Sequence, residues 1–200
     1  MQKATCNEPI LGLSEALAGE LVYRLCLAEC ARLGFRQDAV TTFERSTLKG
    51  GLHIRICLPT YANVSRYIPN QQTLICVRAS YIPLNHIKQH IVQSEYLDAF
   101  NAERGAAYIL ASTRQTLNNS SAVDYQRYIQ DSISNQACAT KALGLDPHFY
   151  SRETLEAWLI EQPTVQSWLK GKCADTVQSF RANGLPPSNV IYSARLQRSP

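Results

Sequence analysis

Residues 136–173 read QACATKALGLDPHFYSRETLEAWLIEQPTVQSWLKGKC, and no other part of the 200-residue chain is as directive about structure. Leu143 has the helical spacing expected for the end of a packed helix, and Gly144 permits a tight turn after it. A second helix is predicted to open at Asp146 or Pro147. This order of helix, glycine turn and helix predicts a helix-turn-helix, whose second helix lies in the DNA major groove.

An ordinary helical hairpin is the alternative interpretation of the same segment. Glu153 stands where the second helix of a helix-turn-helix places an apolar residue. Glu156 and Glu161 make that helix more acidic, which opposes a surface that faces phosphates. The sequence leaves the helix-turn-helix and the hairpin both open.

A long stretch without acidic residues precedes this segment. Residues 45–94 contain no Asp or Glu but hold six Lys and Arg side chains together with Tyr61, Tyr67 and Tyr81. Basic groups interleaved with aromatics are typical of a surface that follows phosphates and stacks on bases. The alternative is a strand-rich core segment that carries few acids. A second acid-free run, residues 176–200, is interpreted as a basic tail.

Candidate DNA contacts come from both regions. Polar and basic side chains at 148–152 would fall in the first turn of the recognition helix, where base edges are within reach. Residue 136 would touch the DNA backbone, and the lysines would hold phosphates. The candidate DNA-binding residues are Gln136, Lys141, His148, Tyr150, Ser151, Arg152, Lys170, Lys172, Arg55, Arg66 and Arg78.

Hydrophobic periodicity predicts a helix and a small sheet in the N-terminal part. Apolar spacing, with Ser14 as N-cap and Gly34 beyond the end, indicates a helix from Ser14 to Leu33. Alternation predicts a half-buried strand at 52–58, and a run apolar on both faces predicts a central strand at 73–77.

The rest of the chain is predicted to be mostly helical. Helices are expected at 94–117, 123–133 and 164–180, with a break at 118–121 and a short edge strand at 190–194. The predicted fold is therefore α+β, with an N-terminal helix and a small basic β-sheet followed by a mostly helical C-terminal half. The predicted regions are 1–118, α+β, and 122–200, helical with the candidate helix-turn-helix.

Composition indicates an intracellular protein without a cofactor. The net charge is +4, no apolar run is long enough to cross a bilayer, and the start has no secretory apolar core. The seven cysteines form no C-x-x-C pair, which argues against disulfides and structural zinc. We therefore expect a cytoplasmic location, no membrane, no metal and no cofactor.

Enzyme signatures are mostly absent. The chain has no P-loop, no G-x-G-x-x-G, no G-x-S-x-G and no H-E-x-x-H. His86 and His90 share a helical face, but surface histidines are the simpler interpretation. Cys57 and His53 share a strand face as a conceivable nucleophile pair, with a buried or inert thiol as the alternative. Enzymatic activity is left uncertain, leaning to none.

The segment 136–173 resembles the DNA-binding region of ParB-type partition and plasmid regulators. The likeness rests on the Gln-started helix, the Leu-Gly-Leu turn, the Ser151-Arg152 start and the Pro-Thr-Val and Trp-Leu-Lys-Gly-Lys stretches. Tyr81-Ile-Pro-Leu-Asn-His-Ile87 is similar to a short phrase near the front of such proteins. The family's Gly-rich, double-Arg nucleotide motif is matched at 102–107 only by an Arg with an Ala three residues later.

The sequence therefore favours a DNA-binding regulatory or maintenance protein of bacterial or mobile-element type. A homodimer on double-stranded DNA is expected, because half-sites for a recognition helix are commonly paired. The first alternative is a protein–protein interaction module or inhibitor that docks its basic acid-free surface on an acidic partner. An enzyme with a site assembled from distant residues is the third.

Overall fold

A five-stranded mixed β-sheet lies at the centre of the molecule. The computed structural model describes residues 8–44, 52–91, 106–135 and 144–182. The strands lie in the sheet in chain order, as β1 Val40–Glu44, β2 Leu52–Cys57, β3 Gln72–Arg78, β4 Ala106–Ser112 and β5 Leu145–Tyr150. β2 is antiparallel to β1 and β3, whereas β3, β4 and β5 run parallel.

Helices cover both faces of this sheet. They are α1 Glu8–Leu11, α2 Glu15–Arg32, α3 Ile87–His90, α4 Asn119–Ser134, α5 Arg152–Ile160 and α6 Pro163–Ala182. One core contains α2, α5 and α6 packed on the sheet, and a second contains α3 and α4 packed on the opposite face. Within the described residues, none of these helices combines the length and the apolar character that a bilayer crossing requires.

The start and end of α2 follow from its sequence. Ser14 is the N-cap, and its hydroxyl accepts a hydrogen bond from the Leu17 amide at 3.3 Å. Gly34 adopts φ +86, the left-handed conformation that ends many helices and that favours glycine. Both features confirm the predicted helix.

The two central strands are buried on both faces. β3 alternates its side chains between the two cores, with Ile75 and Val77 on one side and Leu74 and Cys76 on the other. All seven residues of β4 are buried. The prediction of a central strand at 73–77 is confirmed, as is the half-buried strand at 52–58, which is β2.

The predicted fold class is wrong. The C-terminal part is not a helical half, since it contributes β5 to the same sheet as the N-terminal strands. Residues 106–112, expected within a long helix, form β4 between two parallel neighbours. An unbroken apolar run of this length fits a buried helix or a buried strand equally well, and the neighbouring strands decide between them. Residues 94–105 lie outside the described part of the chain.

The helix-turn-helix geometry is also wrong. Residues Leu145–Tyr150, expected as the turn and the start of a recognition helix, form β5 and pair with β4. Pro147 is tolerated there because β5 is at the end of the strand order, where a missing N–H costs least. The helix begins only at Arg152, with Ser151 as N-cap. Residues 136–143, the expected first helix, lie outside the described ranges.

Candidate functional site

The three parallel strands end at the same edge of the sheet. We call this the carboxyl edge and define it as residues 78–82 at the end of β3, 112–116 at the end of β4 and 151–152 after β5, together with Glu15. In open sheets with parallel strands, ligands bind outside the carboxyl ends of the strands. The carboxyl edge is therefore the first place to look for a site.

Each parallel strand brings an arginine to this edge. Arg78 is the last residue of β3 and is buried, and Arg114 follows β4 by two residues and is exposed. Arg152 follows β5 by two residues and is half-buried. The edge thus combines positive charge from three separate parts of the sequence.

Three helix N-termini lie at the same edge. The Glu15 carboxylate accepts a hydrogen bond from the Ala79 amide, which places the start of α2 beside the end of β3. α4 starts after Asn118, shortly beyond β4, and α5 starts directly after Ser151 at the end of β5. Because each helix carries a partial positive charge at its N-terminus, the three together favour anions at this edge.

Ser112 ties the segments after β3 and β4 to each other. Its hydroxyl donates to the Ser80 carbonyl at 2.7 Å. The same oxygen accepts from the amides of Arg114, at 3.2 Å, and Gln115, at 3.1 Å. One buried hydroxyl therefore fixes the backbone on both sides of the exposed arginine.

Gln115 joins all three segments. Its Oε1 accepts from the Ile82 amide at 3.3 Å, and its own carbonyl accepts from the Arg152 amide at 2.8 Å. The Thr113 amide donates to the Arg78 carbonyl at 3.1 Å. These bonds hold the edge in one arrangement, which a preformed binding site requires.

The side chains of the carboxyl edge differ in how accessible they are to a ligand. Arg152 has its charge balanced by neighbours, with Nε at 3.4 Å from Glu156 Oε1 and Nη2 at 3.9 Å from Glu153 Oε1. Arg114 is the exposed member of the three. Thr113 Oγ1 is buried, and none of the described residues offers it a hydrogen bond. Arg114 is thus the side chain best placed for a first contact.

The Cys76 thiol, two residues before the end of β3, is not suited to nucleophilic chemistry. The Cys76 thiol lies 3.6 Å from the His90 carbonyl, and the Tyr108 hydroxyl lies 3.5 Å from the same oxygen. Burial raises the pKa of the Cys76 thiol, and the nearby Arg78 charge only partly opposes this. The thiol therefore stays protonated at neutral pH.

His53 and Cys57, the pair considered for nucleophilic catalysis, lie at opposite ends of β2. His53 is paired with Cys76 near the carboxyl edge, whereas Cys57 is paired with Gln72 at the opposite end of β2. Four residues along a strand correspond to about 13 Å. Among the described residues, no group of three His, Cys, Asp or Glu side chains could hold a metal ion.

The predicted DNA-binding residues are distributed over several surfaces. Ser151, Arg152 and Arg78 meet at the carboxyl edge, while Arg55 lies in the middle of β2 beside Leu74. Gln136 and Lys141 lie outside the described residues.

His148 and Tyr150, predicted to lie in the first turn of the recognition helix, form contacts within the protein. The Tyr150 side chain is buried, and its hydroxyl donates to the Arg66 carbonyl at 3.1 Å. His148 Nε2 lies 2.8 Å from Asp146 Oδ2. Arg66 itself forms an ion pair with Glu161. Lys170 and Lys172 are exposed on α6, on the helical layer that also contains α2.

The chain matches no family model, no curated protein and no solved structure.

Sequence reasoning missed Glu15, Ser112, Arg114 and Gln115. The signal that could have found the last three is their position directly after the apolar run AAYILA, in the polar phrase Ser-Thr-Arg-Gln. That signal is readable only once the run is recognised as a strand. No sequence signal identifies Glu15, because an acidic residue in the first turn of a helix is common.

Proposed function

We propose that this protein binds DNA through its carboxyl edge, by contacts to phosphates. The observation that carries the proposal is the arrival of an arginine at the end of each parallel strand, beside three helix N-termini. Phosphate contacts supply most of the sequence-independent affinity of DNA-binding proteins. The predicted regulatory or maintenance role and cytoplasmic location are kept as parts of this proposal.

The mechanism differs from that of a recognition helix. Arg114 would form a charge-assisted hydrogen bond to a phosphate oxygen, because its side chain is exposed on a backbone fixed by Ser112. Arg78 and the starts of α2, α4 and α5 would add a favourable potential. Such contacts position DNA without reading its sequence. We therefore propose affinity for DNA with weak sequence preference.

The distribution of charge elsewhere in the chain also favours phosphate binding at the carboxyl edge. The segment that contains β2 and β3 lies in the acid-free stretch of residues 45–94. The Glu15 carboxylate, which lies at the end of β3, accepts a backbone amide and so has part of its charge compensated. These features lower the electrostatic cost of bringing a phosphate to the edge.

Fluorescence anisotropy with a labelled duplex of random sequence, measured over a salt series, tests the proposal. We expect the affinity to fall steeply with salt, and Arg114→Ala to reduce the magnitude of the salt slope by about 1. Arg36→Ala is the matched control, since Arg36 is also exposed but lies beyond the opposite end of α2. Absence of binding at low salt, or equal effects of both substitutions, would overturn the proposal.

An acidic protein partner is the second candidate, because the same exposed arginine would serve an acidic surface. It is favoured if Arg114→Ala abolishes capture of an acidic polypeptide such as polyglutamate while no duplex binds. The predicted homodimer also stays a proposal. The pairing of half-sites by a recognition helix, from which the homodimer is predicted, does not apply because Leu145–Tyr150 form β5. Sedimentation with and without DNA tests the homodimer independently.

A further inference from the structure

We infer that Tyr81 is a stacking platform for an unpaired base, so that the preferred DNA contains a single-stranded segment. This inference rests on the proposed function, because phosphate contacts at the carboxyl edge would bring the strand to Tyr81. It goes beyond that function by naming the form of DNA and the side chain that selects it.

Tyr81 differs from the tyrosines of the neighbouring strands and helix because it is exposed. Its side chain is 61% exposed, although it directly precedes Ile82, which is fully buried. The large aromatic side chains Tyr108, Tyr125 and Tyr150 are all buried in the two cores. Tyr81 therefore presents a ring to solvent from a segment whose next residue is anchored in the core.

The backbone around Tyr81 is fixed on both sides. Before it, the Ser80 carbonyl accepts from Ser112 Oγ at 2.7 Å. After it, the Ile82 amide donates to Gln115 Oε1 at 3.3 Å, and the Ile82 carbonyl accepts from the Tyr125 hydroxyl at 2.5 Å. A ring on a backbone held in this way loses little conformational freedom on binding, which is what a stacking residue needs.

The positive charge of the nearby Arg114 is suited to the phosphate backbone of the DNA strand whose base stacks on Tyr81. Ser112 Oγ, which holds the Ser80 carbonyl, also accepts the amide of the exposed Arg114. The aromatic ring and the guanidinium are thus presented from two segments joined at one hydroxyl. Proteins that bind single strands combine these two elements, a basic groove for phosphates and an aromatic surface for bases.

An unpaired base is required because of the geometry of stacking. In a duplex, each base already stacks on its neighbours, and only the edges of the bases are reached from the grooves. An aromatic side chain gains a base face only where the base is unstacked or single-stranded. Tyr81 therefore favours a tail or a gap over an uninterrupted duplex.

The experiment compares three labelled DNA probes with the full-length protein. They are a blunt duplex, the same duplex with a single-stranded thymidine tail, and the same tailed duplex with abasic positions throughout the tail. The last two carry the same number of phosphates and differ only in their bases. We expect the base-containing tail to bind about tenfold more tightly than the abasic tail.

Tyr81→Ala is expected to remove this advantage, whereas Tyr81→Phe, which keeps the ring, is expected to retain it. Neither change removes an atom that takes part in the backbone bonds of Ser80 and Ile82. Tyr61→Ala is the matched control, because Tyr61 is 84% exposed but lies in the loop between β2 and β3, at the opposite edge of the sheet. It should leave the preference unchanged.

Three results would overturn the inference. They are equal binding of the base-containing and abasic tails, an unchanged preference in Tyr81→Ala, and an equal loss in Tyr61→Ala. In each case binding of the blunt duplex with its salt dependence would leave the proposed function intact. Failure of all three probes to bind at low salt would instead refute the proposed function and this inference with it.

Discussion

Glu29 and Gln162 are joined by a hydrogen bond of 3.0 Å between Gln162 Nε2 and Glu29 Oε2, although 133 positions separate them in the chain. The Glu29 carboxylate is fully buried and also accepts from Arg32, at 2.6 Å and 3.1 Å. Gln162 lies at the junction of α5 and α6. This contact therefore fastens the C-terminal helices to the end of α2.

Replacing Glu29 by alanine is expected to destabilise the protein by about 2–4 kcal/mol, because Gln162 would be left buried without its acceptor. Urea denaturation followed by circular dichroism measures the change in the free energy of unfolding. Glu20→Ala is the matched control. Glu20 forms a partly exposed pair with Arg24 on the same helix, and its removal should cost under about 1 kcal/mol. Equal losses in the two variants would contradict the assigned role.

Acid should weaken the Glu29 contact. Burial raises the pKa of this carboxyl, but hydrogen bonds from Arg32, Ser65 and Gln162 outweigh it and hold the pKa below its ordinary value of 4.5. A lowered folded-state pKa gives stability that is present above 4.5 and is lost as the pH falls through the folded-state pKa. The difference in unfolding free energy between the native protein and Glu29→Gln should therefore shrink as the pH falls from neutral to below 4.5. A constant difference would argue against a charged Glu29.

High pH should weaken the hydrogen bond from the Tyr125 hydroxyl to the carbonyl of Ile82, the residue after Tyr81. Burial, with a contribution from Tyr81, raises the pKa of Tyr125 to about 12, above its ordinary value of 10. Since the folded-state pKa is raised, this stability is fully present below pH 10 and is lost as the pH rises to about 12. Tyr125→Phe should flatten part of the alkaline decrease in unfolding free energy. Identical pH profiles for the native protein and Tyr125→Phe would disprove this prediction.

Two glycines in helices should respond in opposite ways to substitution. A Cβ at Gly19 would lie 2.8 Å from Leu52 Cβ and 3.0 Å from Leu52 Cδ2, so Gly19→Ala forces α2 away from β2. We expect a net destabilisation of about 1–3 kcal/mol despite the better helix propensity of alanine. A Cβ at Gly171 on α6 would meet nothing within 4 Å, so Gly171→Ala should stabilise by up to about 1 kcal/mol. Thermal denaturation compares the two, and a stabilised Gly19→Ala would show that the helix and strand pack less closely.

Part of the candidate site could be predicted from the sequence. The acid-free stretch points to Arg78, and the supposed recognition helix points to Ser151 and Arg152. The structure brings these three together at the carboxyl edge, for a reason different from the predicted one. Arg114 and Gln115 are missed because the pattern of AAYILAS predicts a helix. Within a predicted helix these two residues are not recognised as following the carboxyl end of a strand, where a site is expected.

Local patterns determined the elements whose ends and faces carry their own signals. Ser14 and Gly34 define the ends of α2, and the alternation of 52–58 identifies β2, because caps and half-buried strands depend on neighbours in the chain. The remaining elements depend on partners far away in sequence. Residues 106–112 and 145–150 became strands only because β3 and β4 offered parallel hydrogen-bonding neighbours. The carboxyl edge exists only through that pairing, since parallel alignment is what carries the ends of three distant segments to one place.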